Sequence, residues 1–463
     1  MKIPEKTQVF LLIVLCTLVL LAPGTIRTLQ KNPLPYGAET AYASRILQQN
    51  QYDPVQERPT TFNLLFYGVS RISFMEQAML LKLLPFVLGM LSMLMLFLLL
   101  RKERNYLFII FLFIASPVFI YVFSSLNALS AIIFLNLLGF FIFLQKRGWL
   151  SCFVFAIIPF IDVLAFFLTA ILLMSYAVYQ KYKIRDVYII IVVSLLPLMY
   201  MITQNTISIH QYFDLTGIHE LFVEFGVLAG ISLPLLILAI IGIAIKWPQQ
   251  RLLFAAYLLL ILFFIGAMYS TMITIYLGFL LPFFGGFALR YFLERKWSIQ
   301  VLRNITLLLI FCSLLFSVIS FVDQTTQEKP NPEMVHALTI LKDFSDKQEL
   351  VFSSPQNGFF IEKYAERKAF LDGKSYEYPD YTIKKETYET LIASRNFETT
   401  SALLEKNNIQ YFYIDTQMKQ QLWNNREDGL LFLLMRSRNF VRIYASADIE
   451  IYQYVKLSEQ QNI

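Results

Sequence analysis

The chain is poor in the residues from which soluble proteins build disulfide frameworks and zinc sites. Its 463 residues include only three cysteines and three histidines. All three cysteines lie within apolar runs, which predicts buried free thiols and no disulfide framework. The histidines have neither the spacing of zinc ligands nor a nearby cysteine, so a zinc site is not expected. These residues are Cys16, Cys152 and Cys312, and His210, His219 and His336.

Charged residues are also scarce, at 16% of the chain, whereas hydrophobic residues make up 57%. The mean hydropathy is +0.55, and average soluble proteins contain about 45–50% apolar residues. The formal net charge is +6, but the basic residues form small clusters between apolar runs. This pattern is typical of membrane topology and not of a nucleic-acid groove. The sequence therefore predicts a polytopic protein in a lipid bilayer, with no nucleic-acid partner.

The apolar runs predict an α-helical membrane protein with about eleven transmembrane helices, because each run approaches the ~20 residues that a bilayer requires. One of the two runs around Pro159 and Asp162 could be re-entrant, so the number of transmembrane helices could differ from eleven by about one. The runs are 9–22, 77–100, 105–123, 128–144, 149–161, 163–179, 187–203, 226–245, 252–270, 272–290 and 304–322.

Lysine and arginine are distributed asymmetrically between alternate loops, which predicts the orientation. Basic clusters lie at 101–104, 146–147, 181–185, 246–251 and 290–303, whereas the connections at 124–127, 204–225 and 270–271 contain no Lys or Arg. The basic side is cytoplasmic, together with the N-terminus. We therefore expect a multi-pass protein of the cell membrane whose first loop, 30–76, and everything after residue 322 are exoplasmic.

The composition changes at Val322–Asp323, so we divide the chain into a membrane domain, 1–322, and a C-terminal domain, 323–463. Strands alternate with helical patterns in the second part, which favours a small α/β domain. Predicted strands are 349–353, 368–371, 409–415, 440–445 and 449–455, and predicted helices begin near Pro332 and cover 384–393, 398–407 and 427–437.

The first loop, 30–76, is the longest polar interval in the membrane part and is the expected place for chemistry. Helical periodicity over 37–50 puts Glu39, Tyr42, Ala43 and Ile46 on one face and Thr40, Ser44 and Gln48 on the opposite, wet face. A carboxylate among apolar neighbours is costly without a partner or a task. Alternatively, Glu39 is simply a solvated acid at a helix start, where the helix dipole favours it.

Three motifs in this loop resemble the first exoplasmic loop of GT-C glycosyltransferases. They are Gly37-Ala38-Glu39-Thr40-Ala41-Tyr42, Tyr52-Asp53-Pro54 and Arg58-Pro59-Thr60-Thr61-Phe62. Within that superfamily the resemblance is to archaeal and bacterial members related to the oligosaccharyltransferase catalytic subunit and to mannosyl- and aminoarabinose-transferases. It extends through the C-terminal domain, where 423–434 looks like the terminal domain of a microbial branch. It implies a membrane enzyme that moves a sugar from a polyprenyl-phosphate donor to a glycan, lipid or protein acceptor, with inversion.

The resemblance implies that Glu39 is the catalytic acidic residue, acting as base or metal ligand. The oligosaccharyltransferase subunit has a second acidic motif in its second outer loop, where this chain has Ser124-Ser125-Leu126-Asn127. That departure puts a two-carboxylate metal site in doubt. It favours a metal-independent mechanism, and a mechanism that uses a divalent cation, Mg²⁺ or Mn²⁺, is the alternative.

Further residues are expected to bind substrate. The leaving phosphate needs a cation, and Arg58 is the first candidate because Pro59 fixes the chain there. Each of these basic residues could instead be merely interfacial. Asp162 and Glu224 could bind sugar, or could only cap the helices that follow them. The candidate substrate-binding set is Asp53, Arg45, Arg58, Arg71, Asp162 and Glu224, and Arg27 and Lys31 are further cations in the loop region.

Two other functions compete with a transferase. A transporter or lipid flippase often has two related halves and a midplane site, but these halves are dissimilar and the ionisable residues concentrate at the ends of the apolar runs. A non-catalytic scaffold that displays the α/β domain would not need the acidic helix, and replacement of Glu39 would leave it unaffected.

Overall fold

The computed structural model describes residues 5–32, 34–48, 66, 68–70, 76–179, 184–203, 221–227, 229–246, 254–375 and 380–456. The chain forms two compact units. The N-terminal unit contains Met1–Pro33 and Pro59–Glu328, and the C-terminal unit contains Leu34–Arg58 and Lys329–Ile463.

The described part of the N-terminal unit is helical apart from short turns and a β-bridge between Phe222 and Ile231. Its helices are α1 (Glu5–Leu29), α3 (Gln77–Leu100), α4 (Tyr106–Ile114), α5 (Pro117–Ser124), α6 (Ala128–Leu144), α7 (Gly148–Ile161), α8 (Val163–Tyr179), α9 (Ile184–Thr203), α10 (Leu233–Lys246), α11 (Phe254–Ala267), α12 (Thr271–Glu294) and α13 (Gln300–Thr326). Helix α2 (Ala38–Gln48) belongs to the C-terminal unit.

Each of the eleven predicted apolar runs contains a helix, but fewer of these helices are long enough to cross a bilayer. Among the described residues, four helices are long and apolar enough, or five if the bent pair α4–α5 counts as one. The others are shorter: α6, for example, has 17 residues, so it is ~26 Å long against a hydrocarbon core of ~30 Å. The expectation of about eleven full spans is therefore not supported. The four long segments are Thr7–Leu29, Met79–Leu100, Thr271–Glu294 and Gln300–Thr326.

The predicted single span over 105–123 is bent by 59° between α4 and α5. Pro117 is the first residue of α5 and Ser116 before it is extended. A proline cannot donate to the helical ladder and disfavours helical geometry in the preceding residue. The Ser116–Pro117 pair therefore ends one helix and starts the next.

Small residues allow close helix packing in the N-terminal unit. A Cβ atom built on Gly242 of α10 would lie 1.9 Å from the carbonyl oxygen of Phe284 in α12. The two helices can therefore approach closely only with glycine at this position. A buried polar group also links three helices, since Asn136 donates to the Tyr276 hydroxyl (2.8 Å) and accepts from Thr169 (2.8 Å).

The C-terminal unit combines α2 with an α/β domain. Its strands are β1 (Leu350–Phe352), β2 (Lys368–Ala369), β3 (Ile409–Asp415), β4 (Phe440–Ala445) and β5 (Ile449–Tyr454). Its other helices are α14 (Pro332–Phe344), α15 (Tyr381–Ala393), α16 (Phe397–Lys406), α17 (Thr416–Trp423) and α18 (Gly429–Arg436), with a π-helical turn at Ile361–Ala365.

The five strands form one sheet in the order β2-β1-β3-β5-β4. Strand β1 pairs in parallel with β2 and β3, whereas β5 runs antiparallel to both β3 and β4. The predicted α/β domain is confirmed, and β3 has the predicted bounds. The sequence pattern does not predict helix α17, because the helix has few apolar residues and includes Gln417, Lys419, Gln420 and Gln421. The Asp415 side chain caps this helix by accepting a hydrogen bond from Met418 N at 2.7 Å.

Candidate active site on the first loop

Helix α2 carries the candidate catalytic residue. Gly37 precedes it with a φ of 94°, in the left-handed region that glycine adopts without strain. The Gly37 amide donates to the Lys329 carbonyl at 3.1 Å, which ties the start of the helix to the C-terminal unit. Glu39 lies in the first turn and is exposed. A carboxylate there is stabilised by the helix dipole.

Beyond the exposed Glu39, α2 contributes side chains to a hydrophobic core. Ala41 and Tyr42 pack with residues of α14, β1, β3 and β5, and the Tyr42 ring lies 4.8 Å from that of Phe359. Lys374 Nζ lies 4.5 Å from the centroid of the Tyr42 ring. The side of α2 that bears Tyr42 therefore packs within the C-terminal unit.

The predicted wet face of α2 is wrong for Thr40 and Ser44, both of which are buried. The Ser44 hydroxyl donates to the Ala41 carbonyl at 2.9 Å. This local hydrogen bond lowers the cost of burying a polar side chain. The side chains of Ile46 and Gln48 lie outside the described part of the chain. Of the side chains described on the two predicted faces, Glu39 is thus the exposed one.

Arg45 has a structural partner that its sequence position did not reveal. Its Nη1 atom forms a buried ion pair with Glu362 Oε2 of the π-helical turn. A planar guanidinium suits such buried pairing. The structure therefore places the candidate anion-binding Arg45 in a contact that holds α2 against the rest of the C-terminal unit.

Lys363 follows Glu362 directly and was not singled out from the sequence. Its Nζ atom lies 4.8 Å from the centroid of the Tyr364 ring. Burial of the ammonium group lowers the pKa of Lys363 to about 8. Burial disfavours the charged form of a lysine. The sequence could not predict the lowered pKa of Lys363, because this pKa depends on tertiary packing around a π-helical turn.

A second polar cluster lies at the carboxyl ends of the parallel strands β1 and β3. Lys329 Nζ donates to Asp415 Oδ2 at 2.5 Å and to Asn357 Oδ1 at 2.8 Å. Asn357 Nδ2 in turn donates to Asp415 Oδ2 at 3.0 Å and to Ser353 Oγ at 3.1 Å. Asp415, Asn357 and Ser353 are all buried. This cluster joins the first residue of the C-terminal segment to the sheet.

The structure shows capping contacts for the other two described acidic candidates. Asp162 Oδ1 accepts from Ala165 N at 2.7 Å, at the start of α8. Both carboxylate oxygens of Glu224 lie 3.2 Å from Leu233 N, the first amide of α10. Each contact satisfies an amide that a helix start leaves without an intrahelical partner. These contacts are the capping alternatives recognised in the sequence, and neither residue contacts Glu39 in the contacts described.

The connection at 124–127 has a structural role. Asn127 accepts from Ser130 N at 2.9 Å and thereby caps α6. Its amide also donates to the Val122 carbonyl at 3.2 Å. Among the residues that the structure describes, no group of three His, Cys, Asp or Glu side chains is arranged to hold a metal ion. The described residues thus do not fit a carboxylate metal centre.

The ends of α1 and α13 are joined by a buried arginine. Arg27 Nη1 donates to the carbonyl oxygens of Thr326 (2.9 Å) and Glu328 (2.7 Å). Burial raises the pKa of the Glu328 carboxyl to about 7, while the nearby Arg27 charge opposes that rise. Arg27, one of the candidate cations, therefore binds backbone carbonyls at the C-terminal end of α13 and just beyond it.

Three members of the candidate set, Asp53, Arg58 and Arg71, lie outside the described residues. The described cavities of the N-terminal unit do not include the first loop in their walls. One of about 350 Å³ is enclosed mainly by leucine and phenylalanine side chains of α3, α6, α8 and α12, with Asn136 and Tyr276 also at its wall. Another, of about 470 Å³, lies between α1, α4, α12 and α13.

The fold of this chain is similar to the folds of several solved structures. The apo oligosaccharyltransferase of Archaeoglobus fulgidus is 13% identical, with a TM-score of 0.62, and the match covers 97% of this chain and 74% of that one. ArnT from Cupriavidus metallidurans, bound to undecaprenyl phosphate, is 12% identical with a TM-score of 0.55, covering 98% and 99% of the two chains. The fold is that of the GT-C glycosyltransferases.

The GT-C likeness is one of structure. No protein-family model matches the sequence, and no curated protein matches it. A third structure, A. fulgidus AglB in complex with an inhibitory peptide and a dolichol-phosphate, is 12% identical with a TM-score of 0.59, covering 96% of this chain and 74% of that one. The GT-C resemblance noted in the loop sequence is therefore confirmed at the level of the fold.

Proposed function

We propose that this chain is a membrane glycosyltransferase that moves a sugar from a polyprenyl-phosphate donor to an acceptor on the outer face of the membrane. The GT-C fold supports a transferase. Two of its structural neighbours were captured with dolichol-phosphate and undecaprenyl phosphate. That likeness and the apolar helices of the N-terminal unit support the proposal of a lipid-phosphate donor for this chain.

The observation that carries the proposal is the setting of Glu39. The carboxylate is exposed in the first turn of α2, while Tyr42 and Arg45 hold the helix through ring packing and an ion pair. A group that must accept a proton in a defined geometry benefits from such support by packed neighbours. These contacts support an accessible Glu39 carboxylate on a helix that is held in place.

In the proposed reaction Glu39 is the general base. Its carboxylate takes the proton of the acceptor hydroxyl as that oxygen bonds to the anomeric carbon of the sugar. The bond from this carbon to the phosphate oxygen breaks, and its electron pair leaves with the lipid phosphate. Attack opposite the leaving group inverts the anomeric centre. The products are the glycosylated acceptor and the polyprenyl phosphate.

The departing phosphate gains negative charge, and a nearby cation would stabilise it. We assign this role first to Arg58, with Arg71 and Asp53 as further substrate contacts; all three lie outside the described residues. The proposed reaction uses no divalent cation, because among the described residues no group of three His, Cys, Asp or Glu side chains is arranged to hold one. An A. fulgidus oligosaccharyltransferase structure does contain zinc and sulfate, so treatment with a chelator is a direct check. We expect transfer to continue in EDTA.

The proposed topology places the donor and the base together. Nucleotide sugars are made inside the cell, whereas the basic loops put 30–76 and the C-terminal unit outside. A sugar already carried on a lipid phosphate is the donor that this compartment can supply. We also propose that the shorter apolar helices complete the membrane domain around the four to five full-length spans.

The test is a comparison of single carboxamide variants. We expect Glu39→Gln to lower transfer from a polyprenyl-phosphate sugar by about 10²–10⁴-fold, the usual cost of losing a general base. Its thermal midpoint should stay unchanged because the side chain is exposed. Glu386→Gln is the matched control, an exposed helical glutamate of the same unit, and should keep full activity.

Asp53→Asn and Glu224→Gln complete the comparison. If either abolishes transfer while Glu39→Gln turns over normally, the base is a different carboxylate. If the purified protein moves lipid-linked sugar across vesicles but transfers none, it is a flippase. If Glu39→Gln affects neither process in cells, the scaffold alternative gains support.

A further inference from the structure

We infer that Lys329 is the positioning residue for the base-bearing helix α2; the inference rests on the proposed role of Glu39. Lys329 is the first residue of the C-terminal segment of its unit. It makes contacts in two directions, one through its side chain and one through its backbone. Together they connect the sheet of the C-terminal unit to the start of α2.

The side chain anchors Lys329 to the sheet. Its Nζ atom lies 2.5 Å from Asp415 Oδ2, at the end of β3, and 2.8 Å from Asn357 Oδ1, in the turn after β1. Asp415 and Asn357 are 5% and 0% exposed. A buried carboxylate needs a cationic partner, so the position of the Lys329 side chain is strongly determined.

The backbone of the same residue holds α2. The Lys329 carbonyl accepts from the Gly37 amide at 3.1 Å, and Glu39 follows two positions later. Gly37 has a positive φ, so the chain turns sharply there and enters the helix directly. The first turn of α2, with its exposed carboxylate, therefore takes its place from the Lys329 carbonyl.

The anchor and the packing surface of α2 are also continuous in the chain. Asn357 is followed by Gly358 and Phe359, and the Phe359 ring packs on Tyr42. A Cβ atom on Gly358 would lie 2.5 Å from the Asp372 Cα atom, so this turn is tightly confined. Lys329 thus contacts the segment on which α2 packs as well as the start of α2 itself.

The experiment compares Lys329→Met with Lys342→Met in the full-length protein in nanodiscs. Lys342 pairs with Glu366 at 2.5 Å in the same unit, but both side chains are substantially exposed. Hydrogen exchange of the α2 amides is the first readout, because it is independent of activity. We expect Lys329→Met to speed exchange over 38–48 by at least about fivefold, and Lys342→Met to leave it unchanged.

Kinetics provide the second readout. A misplaced base lowers turnover without weakening donor binding, so kcat should fall by about 10- to 100-fold with the donor KM nearly unchanged. Lys329→Arg should recover part of the loss because it keeps the charge at the Asp415 carboxylate. If Lys329→Met fails to fold, Lys329→Met with Asp415→Asn removes both charges and keeps the test available, with the same expected exchange and kcat changes.

Unchanged exchange in α2 would overturn the inference, whatever happens to activity. Faster exchange with unchanged kcat would also overturn it, because α2 would then be mobile without consequence. The Glu39→Gln variant separates the two proposals. Normal turnover of Glu39→Gln refutes the assignment of the base, while the exchange data still report whether Lys329 holds α2.

Discussion

Arg45 of α2 and Glu362 of the π-helical turn, 317 positions apart in the sequence, form a buried ion pair within the C-terminal unit. The pair joins a loop that follows the first apolar helix to a domain that follows the last one. It makes α2 part of the α/β domain's own packing. The candidate base is therefore carried by the C-terminal unit.

Loss of either partner of this pair should destabilise the C-terminal unit. Glu362→Gln leaves a buried guanidinium without its carboxylate, which typically costs about 3–5 kcal/mol. We expect a clear drop in the thermal midpoint of the purified protein. The control is Arg436→Met, which breaks the exposed pair with Glu427 and should cost no more than about 1 kcal/mol. Equal shifts for the two variants would show that the Arg45–Glu362 pair adds no special stability.

Single cysteines should report the orientation of the chain in the membrane. We expect a membrane-impermeant maleimide to label Lys31→Cys and Lys347→Cys in intact cells but not Lys102→Cys, in a background without native cysteines. All three lysines are exposed, so access depends on the side of the membrane. Lys102 lies in a basic loop predicted to be cytoplasmic. Labelling of Lys102→Cys, or of only one of the other two, would contradict the topology.

Glu328 should make stability depend on pH near neutrality. Burial raises its folded-state pKa from 4.5 to about 7, so the folded protein binds more protons than the unfolded chain between these values. Stability from this group is therefore lost as the pH rises from 4.5 through 7, by about 3 kcal/mol in total. Below pH 4.5 the carboxyl is protonated in both states and has no effect.

Glu328→Gln removes this titration, so thermal midpoints of the two proteins should be compared from pH 4.5 to pH 8. The variant should be the more stable protein at pH 8, and the difference should disappear at low pH. A constant difference across the range would show that the Glu328 carboxyl titrates normally. The neighbouring Arg27 contacts use the Glu328 carbonyl and are kept in the variant.

Gly242→Ala should separate α10 from α12. The added methyl group would meet the Phe284 carbonyl at 1.9 Å, and this contact is with backbone that cannot rotate away. Overpacking of this kind costs about 1–3 kcal/mol. Gly24→Ala in α1 is the control, because a Cβ atom there has nothing within 4 Å. A thermal midpoint unchanged in both variants would mean that the helices tolerate a wider spacing.

Local patterns in the sequence were enough to predict the class of the protein and the order of its elements. Apolar runs and loop charges predict helices and a membrane setting because the bilayer imposes length and polarity on each segment separately. Alternation of strand and helix patterns predicted the α/β domain, including β3 at Ile409–Asp415. The loop motif around Glu39 predicted the GT-C fold.

Which elements pack together, and which side chains are exposed, depends on contacts that form in the folded chain. Helical periodicity could not tell that Tyr42 packs on Phe359, or that Thr40 and Ser44 are buried, since burial depends on residues distant in the chain. The contacts of Lys329 with Gly37 and Asp415 join segments far apart in sequence. Local sequence patterns cannot predict such contacts, because the free energy of these contacts comes from packing that exists only once the chain has folded.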